Sequence, residues 1–232
     1  MGQKVNPIGF RVGITEEWKS RWYAPKAAYG NFLVEDHKVR KYIDDKLNRR
    51  PPFAGVSEIL IERTREEVTV TLKTARPGLV IGPKGAEVDK LREELEDMIH
   101  RKVAPVKVIE VKNPDLNAQL VAEGIAEQLK KRASFRRVLK QRMDATMQAG
   151  AKGIKIQVSG RLGGAEIARQ EKSGLGSVPL TTLQANVDYG YAIAFTTYGT
   201  IGVKTWVYRG MYGEEVLETD VRPGGGPRRG RR

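Results

Sequence analysis

"TARPGLVIGPKGAEVDKL", residues 74–91, places the tetrapeptide Gly82-Pro83-Lys84-Gly85 directly before a predicted helix. That helix is expected over residues 86–98, because apolar side chains recur on one of its faces, at Val88, Leu91, Leu95 and Met98. The first N–H groups of a helix have no partner inside the helix, and glycines allow a ligand to approach them closely. The stretch therefore predicts a phosphate-binding turn, to which Lys84 adds positive charge.

The spacing of the turn excludes the common nucleotide-binding loops. A P-loop has the pattern G-x-x-x-x-G-K-[ST], but Gly78 and Gly82 are too close for it, Pro83 separates the glycine from Lys84, and no hydroxyl follows. The dinucleotide pattern G-x-G-x-x-G is also absent. What remains is V-I-G-x-x-G before a helix, the loop by which a KH domain grips a nucleic-acid backbone. Alone, this tetrapeptide more often marks an ordinary turn at a helix start.

Charge and composition favour the nucleic-acid interpretation. The 232 residues include 41 Lys plus Arg against 28 Asp plus Glu, a net charge of +13, which predicts attraction to polyanions. No apolar run approaches the roughly 18 residues of a membrane span, so no membrane partner is expected. With no cysteine and only two separate histidines, His37 and His100, we expect no metal, cofactor, small-molecule substrate or enzymatic activity. A cytoplasmic protein fits this composition.

An enzyme acting on nucleic acid is the competing hypothesis. An NTPase or a nuclease would need a Walker loop or a carboxylate cluster, and the sequence contains neither. The carboxylates of "REELED", residues 92–97, lie beside Lys90 on a predicted helix, where solvated ion pairs are expected.

The pattern along the chain predicts two α+β units between two irregular ends. Residues 1–30, rich in Gly, Pro, Trp and Arg, are expected to form an extended segment. Residues 31–112 should contain a helix (31–47), strands at 57–64 and 68–75, the glycine turn, the helix over 86–98 and a strand near 106–109. This order of elements, together with the positive charge, favours a KH domain over an ordinary turn.

The second unit, residues 113–212, is predicted to be two helices followed by an antiparallel sheet. Asn113 is expected to cap the first helix at Pro114, and Ser134 to cap a second helix over 135–149 that Gly150 ends. Strands are predicted at 154–159, 185–197 and 201–208. Residues 213–232 should form a flexible basic tail, because "RPGGGPRRGRR" has five arginines and no apolar residue.

The stretch "LKKRASFRRVLKQR", residues 129–142, carries seven basic residues and no acidic one. At 100° per residue, one helical face is apolar, with Phe135, Val138, Leu139, Met143 and Met147. Arg136, Arg137 and Lys140 fall within about a 100° arc on the opposite face. Solvated helix faces usually mix both charge signs, so this pattern predicts contact with nucleic acid.

Several runs carry a resemblance that covers nearly all of residues 1–210: "MGQKVNPIGFRVGI", "RWYA", "TARPGLVIGPKG", "AKGIKIQVSGRLGGAEIAR" and "TTYGTIGVK". The sequence resembles the family of bacterial-type small-subunit ribosomal protein number three. The resemblance implies an α+β fold, with an N-terminal type II KH domain followed by a two-layer α/β domain. It also implies a structural role in the small-subunit head, contact with small-subunit ribosomal RNA and messenger RNA, and a position lining the channel by which messenger RNA enters. The implied protein neighbours are those numbered two, ten and fourteen.

The expected RNA-binding residues fall into three groups. They are the KH loop (Gly82, Pro83, Lys84 and Gly85), the messenger helix with its preceding turn (Lys131, Arg132, Arg136, Arg137 and Lys140), and four further arginines (Arg161, Arg169, Arg228 and Arg229). The family generally carries arginines where this chain has Ser177 and Gln184, so no RNA contact is assigned there.

Three questions stay open at the level of sequence. Gly160, Gly163 and Gly164 serve either a close backbone approach or merely a turn. The glycine loop would equally suit a free KH-domain regulator acting off the ribosome, although the runs of the second unit would not. The ribosome itself could be bacterial or organellar.

Overall fold

The computed structural model describes residues 4–49, 53–64 and 67–213. These residues form two α+β units, and each unit has its own cluster of buried apolar side chains. The predicted tail from residue 214 onward, which includes Arg228 and Arg229, lies outside the described residues.

The N-terminal segment contains regular structure, so the prediction of an extended segment over 1–30 is wrong in part. Asn6 accepts a hydrogen bond from the backbone N–H of Ile8 at 3.0 Å and caps helix α1, Pro7–Arg11. Strand β1, Ser20–Arg21, pairs in parallel with the strand that follows the next helix. A five-residue helix is too short to show a helical period, which explains why the sequence pattern missed it.

The first unit has the predicted order of elements, with two short elements that were not predicted: a helix just before the glycine turn and a two-residue strand before the last strand. It comprises helix α2 (Lys26–Ile43), strands β2 (Val56–Arg63) and β3 (Glu67–Thr74), helices α3 (Pro77–Ile81) and α4 (Ala86–Ile99), and strands β4 (Lys102–Val103) and β5 (Lys107–Glu110). Helix α2 starts five residues earlier than predicted and continues as a π-turn over Asp44–Asn48. Strand β3 is central: it pairs antiparallel with β2 and in parallel with β4 and β5. Its buried Val68, Val70 and Leu72 confirm the predicted alternation.

The second unit begins later than the capping pattern predicts. Pro114–Leu116 form only a short 3-10 turn, and the side chain of Asn117 caps helix α5, Ala118–Lys130. Its Oδ1 accepts hydrogen bonds from the N–H groups of Gln119 and Leu120, at 3.1 and 3.2 Å. The prediction of Asn113 as the cap is therefore wrong, because Asn-x-x-x-Asn offers two candidate caps and only the second satisfies helical N–H groups. Helix α6 spans Phe135–Gln148, as predicted to within one residue.

The sheet of the second unit has four antiparallel strands, in the order β7-β6-β9-β8. Their bounds are β6 Gly153–Gly160, β7 Arg169–Gly176, β8 Ala185–Thr196 and β9 Gly199–Met211. Strand β7 was not predicted, because an exposed edge strand reading RQEKSGLG lacks an apolar alternation. Helices α5 and α6 cover one face of the sheet. The approach of α5 is so close that a Cβ on Gly190 would lie 2.2 Å from the carbonyl oxygen of Ala118.

Helix α1 packs on the second unit, although it precedes the first unit in the chain. Its Arg11 is fully buried, and the guanidinium donates hydrogen bonds to the backbone oxygens of Ala185 and Thr182, both at 2.8 Å, and of Pro7 at 3.0 Å. The hydroxyl of Tyr212, just after β9, hydrogen-bonds to Glu16. The N-terminal segment therefore contacts both units, since β1 pairs with β2 of the first unit and α1 packs on the second.

A second contact joins the units directly. The side-chain amide of Asn48, at the end of the first helix of the KH unit, donates to the backbone oxygen of Val56 at 3.1 Å and to Oε1 of Glu123 on α5 at 3.4 Å. Burial raises the pKa of Glu123 to about 7, and the nearby charge of Asp44 acts in the same direction. A polar cluster therefore lies at the boundary of the two units.

Candidate nucleic-acid interface

The glycine turn is built where α3 ends and α4 begins. Gly82, with φ of 68°, ends α3; Pro83–Gly85 form one 3-10 turn; Gly85, with φ of 83°, precedes α4. A side chain at Gly82 would also lie 2.5 Å from Cγ of Glu87. Both glycines are thus required by the backbone itself. The four predicted loop residues lie together at the start of a fourteen-residue helix, a position that favours an anion.

The charge around this turn is mixed. Glu87 and Asp89 lie in the first turn of α4, where they complement the helix dipole. Glu87 is also 3.2 Å from the ammonium of Lys90. The start of α4 therefore combines a helix N-terminus with two nearby carboxylates.

The basic residues of α6 lie where the helical period predicts. Val138, Leu139 and Met143 are buried against the sheet. Arg136, Arg137 and Lys140, which we call the α6 basic face, are all exposed, and Arg136 lies at the edge of this face, beside the ring of Phe135. Neither Arg137 nor Lys140 forms an ion pair with any residue in the described part of the chain. Three cations on a rigid, anchored helix are thus available to an external anion.

The turn between α5 and α6 carries Lys131 and Arg132. Lys131 pairs with Glu127 at 2.6 Å, and both side chains are largely solvent-exposed, so the pair contributes little to stability. Arg132 has a φ of 60°, an unusual backbone conformation for a residue with a side chain, and it is exposed. The turn continues the positive surface toward the first residue of α6.

Arg161 and Arg169, the two predicted RNA-binding arginines near the second sheet, have different surroundings. The guanidinium of Arg161 donates to the backbone oxygens of Ala165 at 2.8 Å and Tyr198 at 3.2 Å, so it ties the β6–β7 connection to the β8–β9 turn. Arg169 instead lies against Phe135 on α6, with its Cζ 5.8 Å from the ring centroid. Arg136 contacts the same ring at 5.6 Å. Phe135 therefore brings Arg169 beside the α6 basic face, whereas Arg161 has a structural task.

The three glycines at the end of β6 and just after it are explained by close packing or by a turn within the protein. A Cβ on Gly160 would lie 2.8 Å from the carbonyl oxygen of Thr200, and one on Gly164 would lie 3.2 Å from the ring of Tyr198. Gly163 has open space around it but a φ of 66°, so it serves the turn.

Within residues 4–49, 53–64 and 67–213, no group of three or more His, Cys, Asp or Glu side chains is placed to hold a metal ion. None of the helices in this part of the chain combines the length and the apolar character that crossing a membrane requires.

Sequence reasoning missed one basic surface. Because strand β7 was not predicted, the neighbours of Lys172 in the sheet could not be identified. The alternation in "IKIQVS" already indicated that Lys155 and Gln157 share a face opposite to Ile154 and Ile156. Pairing shows that this face also holds Lys172 and Lys204.

A KH-type order of elements and a glycine loop at a helix start define the class of KH-domain proteins, which bind nucleic acid, and the exposed basic face of α6 adds a surface that suits a polyanion. A family model described as "KH domain" matches residues 38–116, and one described as "Ribosomal protein S3, C-terminal domain" matches residues 125–207.

Curated relatives match both units together. "Small ribosomal subunit protein uS3" of Rhodopirellula baltica is 53% identical over 226 residues, which cover 97% of this chain and 95% of that protein. The proteins of the same name from Desulforamulus reducens (54% identical) and Staphylococcus aureus (53%) match 97% of this chain and 98% and 100% of their own lengths. The chain belongs to the uS3 family of small-subunit ribosomal proteins. Membership confirms the predicted family and the α+β fold with an N-terminal KH domain, and it supports a structural ribosomal role rather than an enzymatic one.

Proposed function

We propose that the chain is a structural constituent of the small-subunit head that binds small-subunit ribosomal RNA and lines the channel by which messenger RNA enters. Family membership supports the ribosomal part of this proposal. The observation that carries the messenger part is the α6 basic face, because its cations are exposed on an anchored helix. The location that follows is the ribosome of the cytoplasm or of an organelle.

Binding to ribosomal RNA is assigned to surfaces that can follow a phosphate backbone. The net charge of +13 supplies long-range attraction, and the loop Gly82–Gly85 supplies a helix start. We assign Arg169 to this contact through its position beside α6, and Arg161 through the guanidinium nitrogen that donates to no residue within the described ranges, together with Arg228 and Arg229 of the tail. The proposed protein neighbours are the small-subunit proteins numbered ten and fourteen, and also number two.

The α6 basic face, with Lys131 and Arg132 beside it, is assigned to incoming messenger RNA. Cations on a rigid helix hold separated strands by their phosphates and so oppose their re-pairing. This action needs position and charge only, and no bond is made or broken.

Changing Arg136, Arg137 and Lys140 together to alanine tests this assignment. The free energy of unfolding should change by less than about 1 kcal/mol, because the side chains are exposed and alanine is the best helix former. Ribosomes that carry the variant should slow more on a message with a stable hairpin than on an unstructured one. The measurement is the translation rate on each template in a reconstituted system, and the ratio of the hairpin rate to the unstructured rate should be lower for the variant than for the unchanged chain.

The matched control changes three exposed lysines of helix α2, Lys26, Lys38 and Lys41, to alanine, which removes the same charge elsewhere. The control should slow translation equally on both templates or not at all. If the α6 variant also slows both templates equally, or fails to assemble into subunits, these residues contact ribosomal RNA and the messenger assignment is wrong.

A further inference from the structure

The sheet of the second unit has an open face that the helices leave uncovered. Strand alternation directs Ile154, Ile156 and Val158 of β6 toward α5 and α6, and Lys155 and Gln157 away from them. The pairing register extends this outward set across the sheet: Gln157 lies beside Lys172 on β7 and beside Lys204 on β9, and Lys204 lies beside Tyr191 on β8. At the end of the sheet near the start of β8, the outward side is covered, because Val187 and Tyr208 are buried there against Val178 and Leu180. We call the remaining outward side of these four strands the open face.

Charge is distributed very unequally between the two faces. The four strands contain two acidic residues, Glu171 and Asp188, and the register places both on the helix-covered side. The carboxylate of Asp188 is hydrogen-bonded on that side: it accepts from the N–H of Ala118 at 2.9 Å and from the guanidinium of Arg209 at 2.8 Å. The strand positions of the open face therefore carry Lys155, Lys172 and Lys204 and no carboxylate. None of these lysines forms an ion pair with a residue in the described ranges.

Aromatic rings lie among these cations. The ammonium of Lys155 is 5.5 Å from the ring centroid of Trp206, whose ring is 5.5 Å from that of Tyr189. Tyr191 is 45% exposed, and its ring lies 3.9 Å from where a Cβ of Gly202 would stand. The absence of a side chain at Gly202 leaves a shallow surface beside the ring of Tyr191.

We propose that the open face binds single-stranded RNA, with a base stacked on Tyr191 and phosphates held by Lys155, Lys172 and Lys204. The lysines are complementary to a polyanion, and the ring is complementary to a base, so RNA uses both features at once. An acidic polypeptide would use the lysines but would gain little from an accessible ring. A duplex would hide its base faces, which is why the ligand is single-stranded or has splayed bases. This proposal rests on the proposed role in RNA binding and assigns one surface to it.

The test uses the full-length purified chain and two fluorescein-labelled probes, a twelve-nucleotide oligouridine and an abasic oligonucleotide with the same number of phosphates. Tyr191→Ala should weaken oligouridine binding about tenfold, the size expected for one base–aromatic stack, and leave binding of the abasic probe unchanged. Tyr191→Phe should bind as the unchanged chain does, because the ring is kept. Tyr23→Ala is the matched control, since Tyr23 is 93% exposed but lies outside the sheet.

The contribution of the three lysines is tested by the salt dependence of RNA affinity. Changing Lys155, Lys172 and Lys204 together to glutamine should weaken both probes and reduce the slope of log affinity against log salt by about 2, roughly 0.7 for each lost phosphate contact on a single strand. The same change at Lys26, Lys38 and Lys41 of α2 is the control and should reduce the slope less.

Photo-crosslinking separates this surface from the loop and from α6, which are also expected to bind the probe. With 4-thiouridine in the oligonucleotide, crosslinks should map to the tryptic peptide 173–204, which contains Tyr191. If Tyr191→Ala binds oligouridine as tightly as the unchanged chain and this peptide carries no crosslink, the proposal is overturned. If RNA binding is unchanged but subunits with the variant lose a protein neighbour, the face docks a protein and the proposal is likewise overturned. The binding and crosslinking measurements use the purified chain without ribosomes. A negative result would therefore overturn RNA binding by the open face and leave the proposed ribosomal role untouched.

Discussion

Replacing Asp36 by alanine is expected to lower the free energy of unfolding of the first unit by about 3–5 kcal/mol. Asp36 is only 3% exposed, and its carboxylate accepts hydrogen bonds from Ser20 at 2.9 Å, from the indole of Trp22 at 2.8 Å and from Nε of Arg63 at 2.8 Å. The side chain of Arg63 is equally buried, so loss of the carboxylate leaves a buried charge with Glu35 as its remaining acidic partner. It also leaves two donors of the N-terminal segment unpaired.

Urea denaturation followed by circular dichroism measures this loss, and hydrogen exchange of the Trp22 indole N–H reports the local opening. Glu62→Ala is the matched control, because Glu62 is the neighbour of Arg63 in sequence but pairs at the surface with Arg21, at 3.6 Å. An exposed pair of this kind contributes about 0–1 kcal/mol. Equal losses for Asp36→Ala and Glu62→Ala would show that the buried cluster is not what fastens β1 to α2.

Replacing Arg11 by alanine should be about as damaging to the second unit, with a loss of about 3–5 kcal/mol. The guanidinium donates to Ala185 and Thr182 of the second unit, and both oxygens would lose a charged donor inside a buried site. Arg11→Lys should lose nearly as much, because a single ammonium cannot reproduce the planar fork of donors. The expected local result is release of α1 from the start of β8.

Hydrogen exchange resolved by peptide tests this release. Amides of residues 8–12 and 185–187 should exchange faster in Arg11→Ala, whereas those of β3 should not change. Arg21→Ala serves as the control, since Arg21 pairs with Glu17 and Glu62 at the surface. Unchanged exchange at 8–12 in Arg11→Ala would mean that other contacts hold the N-terminal segment in place.

Elements with a strong apolar period were predictable from the sequence, and elements defined by tertiary contacts were not. The alternation of β3 and the apolar stripe of α6 follow directly from which residues are buried. Helix α1 begins with an Asn6-Pro7 capping pair, but its five residues show no apolar period, and its Arg11 is held by backbone oxygens some 170 positions along the chain. Strand β7 is polar and rich in glycine, and it is a strand because β6 offers it backbone partners.

The residues of the candidate site also fall into those that a local pattern predicts and those that only tertiary contacts bring together. The α6 basic face could be read from a helical wheel, because charge and period lie in one continuous stretch. The sequence could not show that Arg169 joins this face through Phe135, nor that Arg161 is held by two carbonyl oxygens. The open face of the sheet could not be predicted from the sequence for a further reason. Its lysines come from three strands that are adjacent only after pairing.

The most direct test of the ribosomal assignment is sedimentation of the tagged full-length chain from a native lysate through a sucrose gradient at high salt. The proposal predicts that the chain migrates with small subunits in a one-to-one ratio. It also predicts that a chain carrying Pro83→Asp and Lys84→Asp in the glycine loop leaves the subunits at lower salt, because two negative charges would repel the ribosomal RNA backbone. Recovery of the unchanged chain at the top of the gradient, free of small subunits, would contradict the ribosomal role and favour a free RNA-binding regulator.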